Sequence, residues 1–151
     1  MSFIHRSGPA LTEPFKKMAS TAIAAGSVVS FGTVGATKNG YLSQAVKESV
    51  RIAGVSLKKV ASGDDDFAAN TSIPVIVPGV DDIFEATVSG TAAQTNVGKQ
   101  YDLTDSTNAG TAQDVDLAAT TYKVVTVVGF ISASKVLVKF NGNYAFANKA
   151  N

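Results

Sequence analysis

Tyr122-Lys123-Val124-Val125-Thr126-Val127-Val128-Gly129-Phe130-Ile131, then Ser132-Ala133-Ser134, then Lys135-Val136-Leu137-Val138-Lys139-Phe140, is the stretch whose reading decides the fold. Two runs rich in β-branched and aromatic residues, separated by three small ones, are the signature of a β-hairpin. In the first run one face carries Tyr122, Val124, Thr126, Val128 and Phe130, and the other carries Val125, Val127 and Ile131. A strand that is apolar on both faces is normally covered on both, so this run is expected at the centre of a sheet. The second run alternates around Lys139 and predicts a strand with one buried face.

Working outward, the same short-strand texture fills the chain. Phe15–Ile23 and Ser27–Val34 flank a turn at Ala25-Gly26, and Asn39-Gly40 is a tight-turn pair. Tyr41–Val50 fits either a helix or a strand start, whereas Arg51–Val60 alternates as a strand with Gly54 as a bulge. Ser72–Gly79 is an apolar run bracketed by Pro74 and Pro78, suited to a sheet edge. Asp82–Val88 and Gly98–Leu103 are further short strands, and Thr104–Ala119 is a long polar loop with its tip at Asn108–Gly110. Many short strands with frequent turns predict an all-β fold, a small β-barrel or sandwich.

Residues 1–14 show no strand or helix periodicity, and Pro9 and Pro14 favour extended backbone before them. With apolar anchors at Phe3, Ile4 and Leu11, the segment reads as a tail or an extended N-terminal arm that orders on a neighbour. The division is therefore an arm over 1–14, a β-barrel domain over 15–141 and a C-terminal tail over 142–151.

At 151 residues the chain can bury a full core without staples. It contains no cysteine, which excludes disulfides, thiolate metal sites and a cysteine nucleophile. Its net charge of +1 gives no reason to expect a nucleic-acid partner. Charge is unevenly placed: residues 1–62 hold eight Lys/Arg and two acids, and residues 63–122 hold ten acids and one lysine. Two accounts stand open, pairing within the chain and head-to-tail docking between copies. No run approaches the ~20 apolar residues of a spanning helix, so no membrane partner is expected. Lys16-Lys17 and the small apolar residues after it imitate a signal peptide, but Ser, Thr and Gly interrupt the run and two strands with a turn explain it better.

Chemistry-bearing clusters are few. His5 is the single histidine, too isolated to build a ligand set. Asp64-Asp65-Asp66 and Asp81-Asp82 lack the alternating acids of a calcium loop and read as solvated loop carboxylates. The glycines between Gly32 and Gly40, and the Gly98-Lys99 pair, lack the Gly-Lys-Ser/Thr ending of a phosphate loop. There is no tryptophan for a sugar or single-strand stacking platform. No cofactor and no reaction are expected.

The order of turns and strands resembles the small head decoration (cement) proteins of tailed bacteriophages, which have a β-barrel or tulip-like fold. The resemblance rests on Ile23–Phe31, Ile52–Ser56, Pro78–Gly90, Val97–Leu103 and Val136–Phe140. It implies a virion protein on the outer surface of an assembled capsid, bound to the major capsid protein and to itself, with trimers favoured, and stabilising junctions between subunits. The expected contact residues are Phe3, Ile4, His5, Arg6, Leu11, Phe15, Asp64, Asp65 and Asp66. The alternative is a carbohydrate- or receptor-binding β-domain of a viral fibre or adhesin.

Overall fold

The computed structural model describes residues 2–31, 40–46, 52–105 and 111–141. The expected turn at Asn39, residues 47–50 of the ambiguous Tyr41–Val50 stretch, the loop tip at 108–110 and the tail over 142–151 fall outside these residues, while the start of that stretch is a strand, Leu42–Gln44. In chain order the strands are β1 (Phe3–Ser7), β2 (Thr12–Lys16), β3 (Val28–Phe31), β4 (Leu42–Gln44), β5 (Ile52–Ser56), β6 (Ser72–Ile76), β7 (Ile83–Ser89), β8 (Gln100–Leu103), β9 (Val115–Asp116), β10 (Val125–Ser132) and β11 (Lys135–Phe140). One 3-10 turn, Gln94–Asn96, accompanies them.

The fold is all-β, as expected, and its strands form two sheets. In the first, β7, β11, β10, β8 and β9 follow one another, and β9 returns to β7 through a parallel pairing of Val88 with Val115. That return closes a five-stranded barrel, which removes most open edges. β1 adds antiparallel to the first half of β7. The second sheet has the order β2-β6-β5-β3-β4, antiparallel throughout. The backbone N–H of Met18 donates to the Leu42 carbonyl at 2.8 Å, drawing the end of β2 back toward β4.

Strand alternation distributes side chains between two cores. On one side of the second sheet Ile23, Val29, Leu42, Ala53, Val60, Ile73 and Val75 pack together. Val28, Ile52, Val55 and Ile76 point the other way and join Phe3, Phe84, Val127, Val138 and Phe140 of the barrel. β5 therefore has every residue buried, because it lies between both cores. Gly54 sits there at φ +152°, at the bulge expected for it, and a β-carbon would stand 1.9 Å from the Ile76 carbonyl oxygen.

Gln113 joins the halves. Its amide nitrogen donates to the carbonyls of Val28 (2.9 Å) and Ala45 (2.6 Å), and its oxygen accepts the Val28 N–H at 2.9 Å. Gln44 reaches back, donating to the Thr111 carbonyl at 2.7 Å. A side-chain amide carries both a donor and an acceptor, so Gln113 can bond the backbone at the start of β3 and just past the end of β4 together.

The hairpin forms where the sequence places it, with β10 and β11 joined by Ala133-Ser134. β11 buries Val136, Val138 and Phe140 on one side, as its alternation requires. β10 differs from expectation. Val125 and Val127 are buried, but Val128, Phe130 and Ile131 are exposed, so the strand covered on both faces is β5. β6 also differs: it lies inside its sheet, between β2 and β5. Pro14 and Pro74 face each other across β2 and β6, so their two missing N–H donors cost the ladder one rung at most.

The N-terminal segment is extended, and its strand partners belong to its own chain. β1 pairs with β7 and β2 with β6, so residues 3–7 and 12–16 are parts of the β-domain itself.

Candidate interaction surface

Each expected contact residue has a definite place. Phe3 is 1% exposed, with its ring 5.6 Å from that of Phe140, and belongs to the core. Ile4 is half-buried opposite Glu85. His5 is tied down by its Nε2, 2.9 Å from Asp82 Oδ1, and by an edge-on contact with the Phe84 ring at 5.4 Å. Arg6 donates through Nε to Glu85 at 2.9 Å, and Lys135 approaches the same carboxylate at 2.8 Å. These pairs, with Lys58–Asp66, show that part of the basic and acidic stretches pair within one chain.

Asp82 corrects the expectation of a solvated carboxylate. It is 1% exposed and accepts the N–H of Ala10 at 3.0 Å and of Gly79 at 2.7 Å besides facing His5. Burial alone would raise its pKa, but the hydrogen bonds from Gly79, Ala10 and His5 together hold it below the usual carboxylate value. Gly8 lies against this carboxylate with φ +105°, and a β-carbon there would be 2.4 Å from Asp82 Oδ1. An aspartate–histidine pair can orient a hydrolytic base, but here both carboxylate oxygens are engaged by backbone. The arrangement pins residues 5–10 to the 79–84 segment.

The acidic loop is likewise organised from within. Asp64 accepts the Ala61 N–H at 2.7 Å, Asp66 pairs with Lys58, and Asp65 is exposed. Lys17, fully buried, donates to the carbonyls of Phe67 (2.7 Å), Ala69 (2.8 Å) and Met18 (3.2 Å) and so anchors the loop from beneath. Burial lowers the Lys17 pKa, with Lys58 adding to the shift and Asp66 opposing it. The hydrogen bond from Lys58, with its charge, lowers that of Asp66 against the opposing effect of burial.

Leu11 is exposed and Phe15 half-buried, its ring edge-on to Phe31 at 5.4 Å. With Glu13 and Val77 these two line an open groove of about 400 Å³. A second groove, about 530 Å³, runs between residues 20–22 and 59–62 over Phe67. The structure thus brings Leu11 and Phe15 together. It places His5 and Arg6 in internal pairs and removes Phe3 from the surface.

The surface that sequence reading missed is on β10. β8 pairs with it at Val125 and Thr126, and the last backbone bonds on that side join Val127 to Gly98 and Lys99. Beyond Val127, the described residues give β10 one strand neighbour, β11. This half of the strand carries Val128, Phe130 and Ile131, 37–44% exposed, around Gly129. The signal was in the sequence: two apolar faces mean cover, and the cover need not come from the same chain.

Among the described residues no group of three or more His, Cys, Asp or Glu could hold a metal ion. No protein-family model, curated protein or solved structure matches the chain.

Proposed function

We propose that this chain is a capsid decoration protein of a tailed bacteriophage, a binding protein and not an enzyme, that lies on the outside of the assembled head across copies of the major capsid protein. The observation that carries the reading is the far half of β10, where Val128, Phe130 and Ile131 are exposed on a stretch that has a single strand neighbour, β11, among the described residues. An open strand edge can take up an extended segment of another subunit, and the side chains around it supply the apolar contact. The resemblance of the turn and strand order to phage cement proteins supports the choice of partner. On a symmetric shell, modest contacts repeated over many sites accumulate by multivalency, and no catalytic centre is required.

The test is co-sedimentation with heads of the source phage stripped of this protein. The unaltered chain is expected to bind. A Phe130→Ser, Ile131→Thr variant with an unchanged circular dichroism spectrum should lose most of its occupancy. Failure of the unaltered chain to bind rejects the function, and full occupancy by the variant rejects this surface. Deletion of residues 1–14 is not a clean probe, since it removes β1 and Phe3 from the core.

A further inference from the structure

We infer that β1 is an exchangeable strand: residues 2–7 of one copy occupy the β7 edge of a second copy of this chain, in a closed assembly where each copy gives and receives one strand. The first support is that every strong contact of this segment lies far along the chain. Ser2 hydrogen-bonds Thr87 at 2.7 Å, and its carbonyl accepts the Thr87 N–H at 3.2 Å. Phe3 fills the barrel core, its N–H donating to the Gly26 carbonyl at 3.0 Å. His5 meets Asp82 and Arg6 meets Glu85. All these partners are equally available on another copy.

The second support is the connection to β2. It is four residues long, 8–11, and two of them hold left-handed backbone, Gly8 at φ +105° and Ala10 at φ +52°. Alanine is strained there, because its β-carbon crowds the following carbonyl. Exchange straightens the connection and releases that strain, at the cost of the Ala10 N–H bond to Asp82. Short, strained hinges are the setting in which exchange of identical elements between protomers occurs.

The third support is the groove beside the hinge. Leu11 is 56% exposed and, with Phe15 and Val77, opens an apolar surface at the start of β2. An exposed apolar surface beside the hinge is one that a neighbouring copy can cover.

The chain lacks cysteine, so a single engineered pair reports the connection. Ser7 and Ile83 face each other across β1 and β7. The Ser7→Cys, Ile83→Cys variant, oxidised and run without reductant, should give predominantly covalent multimers. Monomers closed by their own disulfide overturn the inference, including when they associate through another surface. Should that variant not fold, light scattering on the unaltered chain decides: an assembly that shifts toward single chains in Ala10→Gly supports exchange. A single-chain mass at every concentration, or an assembly indifferent to Ala10→Gly, overturns it. No capsid is involved, so this outcome is independent of the decoration test.

Discussion

At the scale of single residues, the fold depends on polar groups buried with full sets of partners. Asp82 is the clearest, since three donors from two segments converge on one carboxylate. Asp82→Asn is expected to lower stability by about 2–3 kcal/mol at pH 7, because charge-assisted hydrogen bonds are worth that much when broken. Its folded pKa is depressed, so the unfolded chain takes up the proton first as pH falls. The stabilisation is therefore complete above about pH 4 and disappears as pH drops through the folded value. Urea midpoints of the two proteins should differ at neutral pH and converge as pH falls through the folded value; a gap that stays constant with pH contradicts this role. Glu85 is depressed as well, first by Lys135 and then by Arg6. Lys17 works differently, as a buried donor to three carbonyls. Lys17→Met keeps the volume and removes the donors, and should cost about 2 kcal/mol. Limited proteolysis should then cut within residues 62–70 before any other site.

At the scale of elements, a strand is legible where a β-branched or alternating run coincides with a bounding turn signal. The β10–β11 hairpin was legible because both strands and their turn lie within Tyr122–Phe140. The Gly54 bulge was legible from one glycine in an alternating run, and its necessity is steric. Gly54→Ala drives a β-carbon into the Ile76 carbonyl from a backbone angle that alanine avoids. We expect a loss of about 3 kcal/mol in chemical denaturation, and a near-neutral result would mean that β5 and β6 can separate without cost. β1 and β2 were not legible. β1 reads Phe-Ile-His-Arg-Ser and β2 reads Thr-Glu-Pro-Phe-Lys, so neither shows an alternation or a β-branched run. Of the candidate contact residues, Leu11 and Phe15 were found by their apolar character in an otherwise polar region. The acidic partners of His5 and Arg6 could not be chosen from among ten carboxylates in the middle of the chain. Val128, Phe130 and Ile131 were seen and assigned to the interior, because periodicity reports that a face is apolar and not what covers it.

At the scale of the whole molecule, the two sheets share a core and do not behave as separate units. Val28, Ile52, Val55 and Ile76 from one sheet pack with Phe84, Val127 and Val138 from the other. Heating should therefore give one cooperative calorimetric transition, with matching calorimetric and van't Hoff enthalpies. Gln113→Ala is the sharpest probe of this coupling, since it takes the side-chain partner from the Val28 N–H and the Ala45 carbonyl, while the Val28 carbonyl keeps the Ala45 N–H. It should lower stability by about 3 kcal/mol while the single transition persists; two resolved transitions in the unaltered chain would contradict the shared core.

The placement of β1 on β7 also sets an order of events during synthesis. At ribosomal rates of about 5–20 residues per second, Phe3 leaves the tunnel on the order of ten seconds before Phe84 does. For that interval the first strand of the nascent chain has no edge to join, and its phenylalanine waits in water or on a chaperone. A strand made well before its partner thus stays unpaired until that partner follows it.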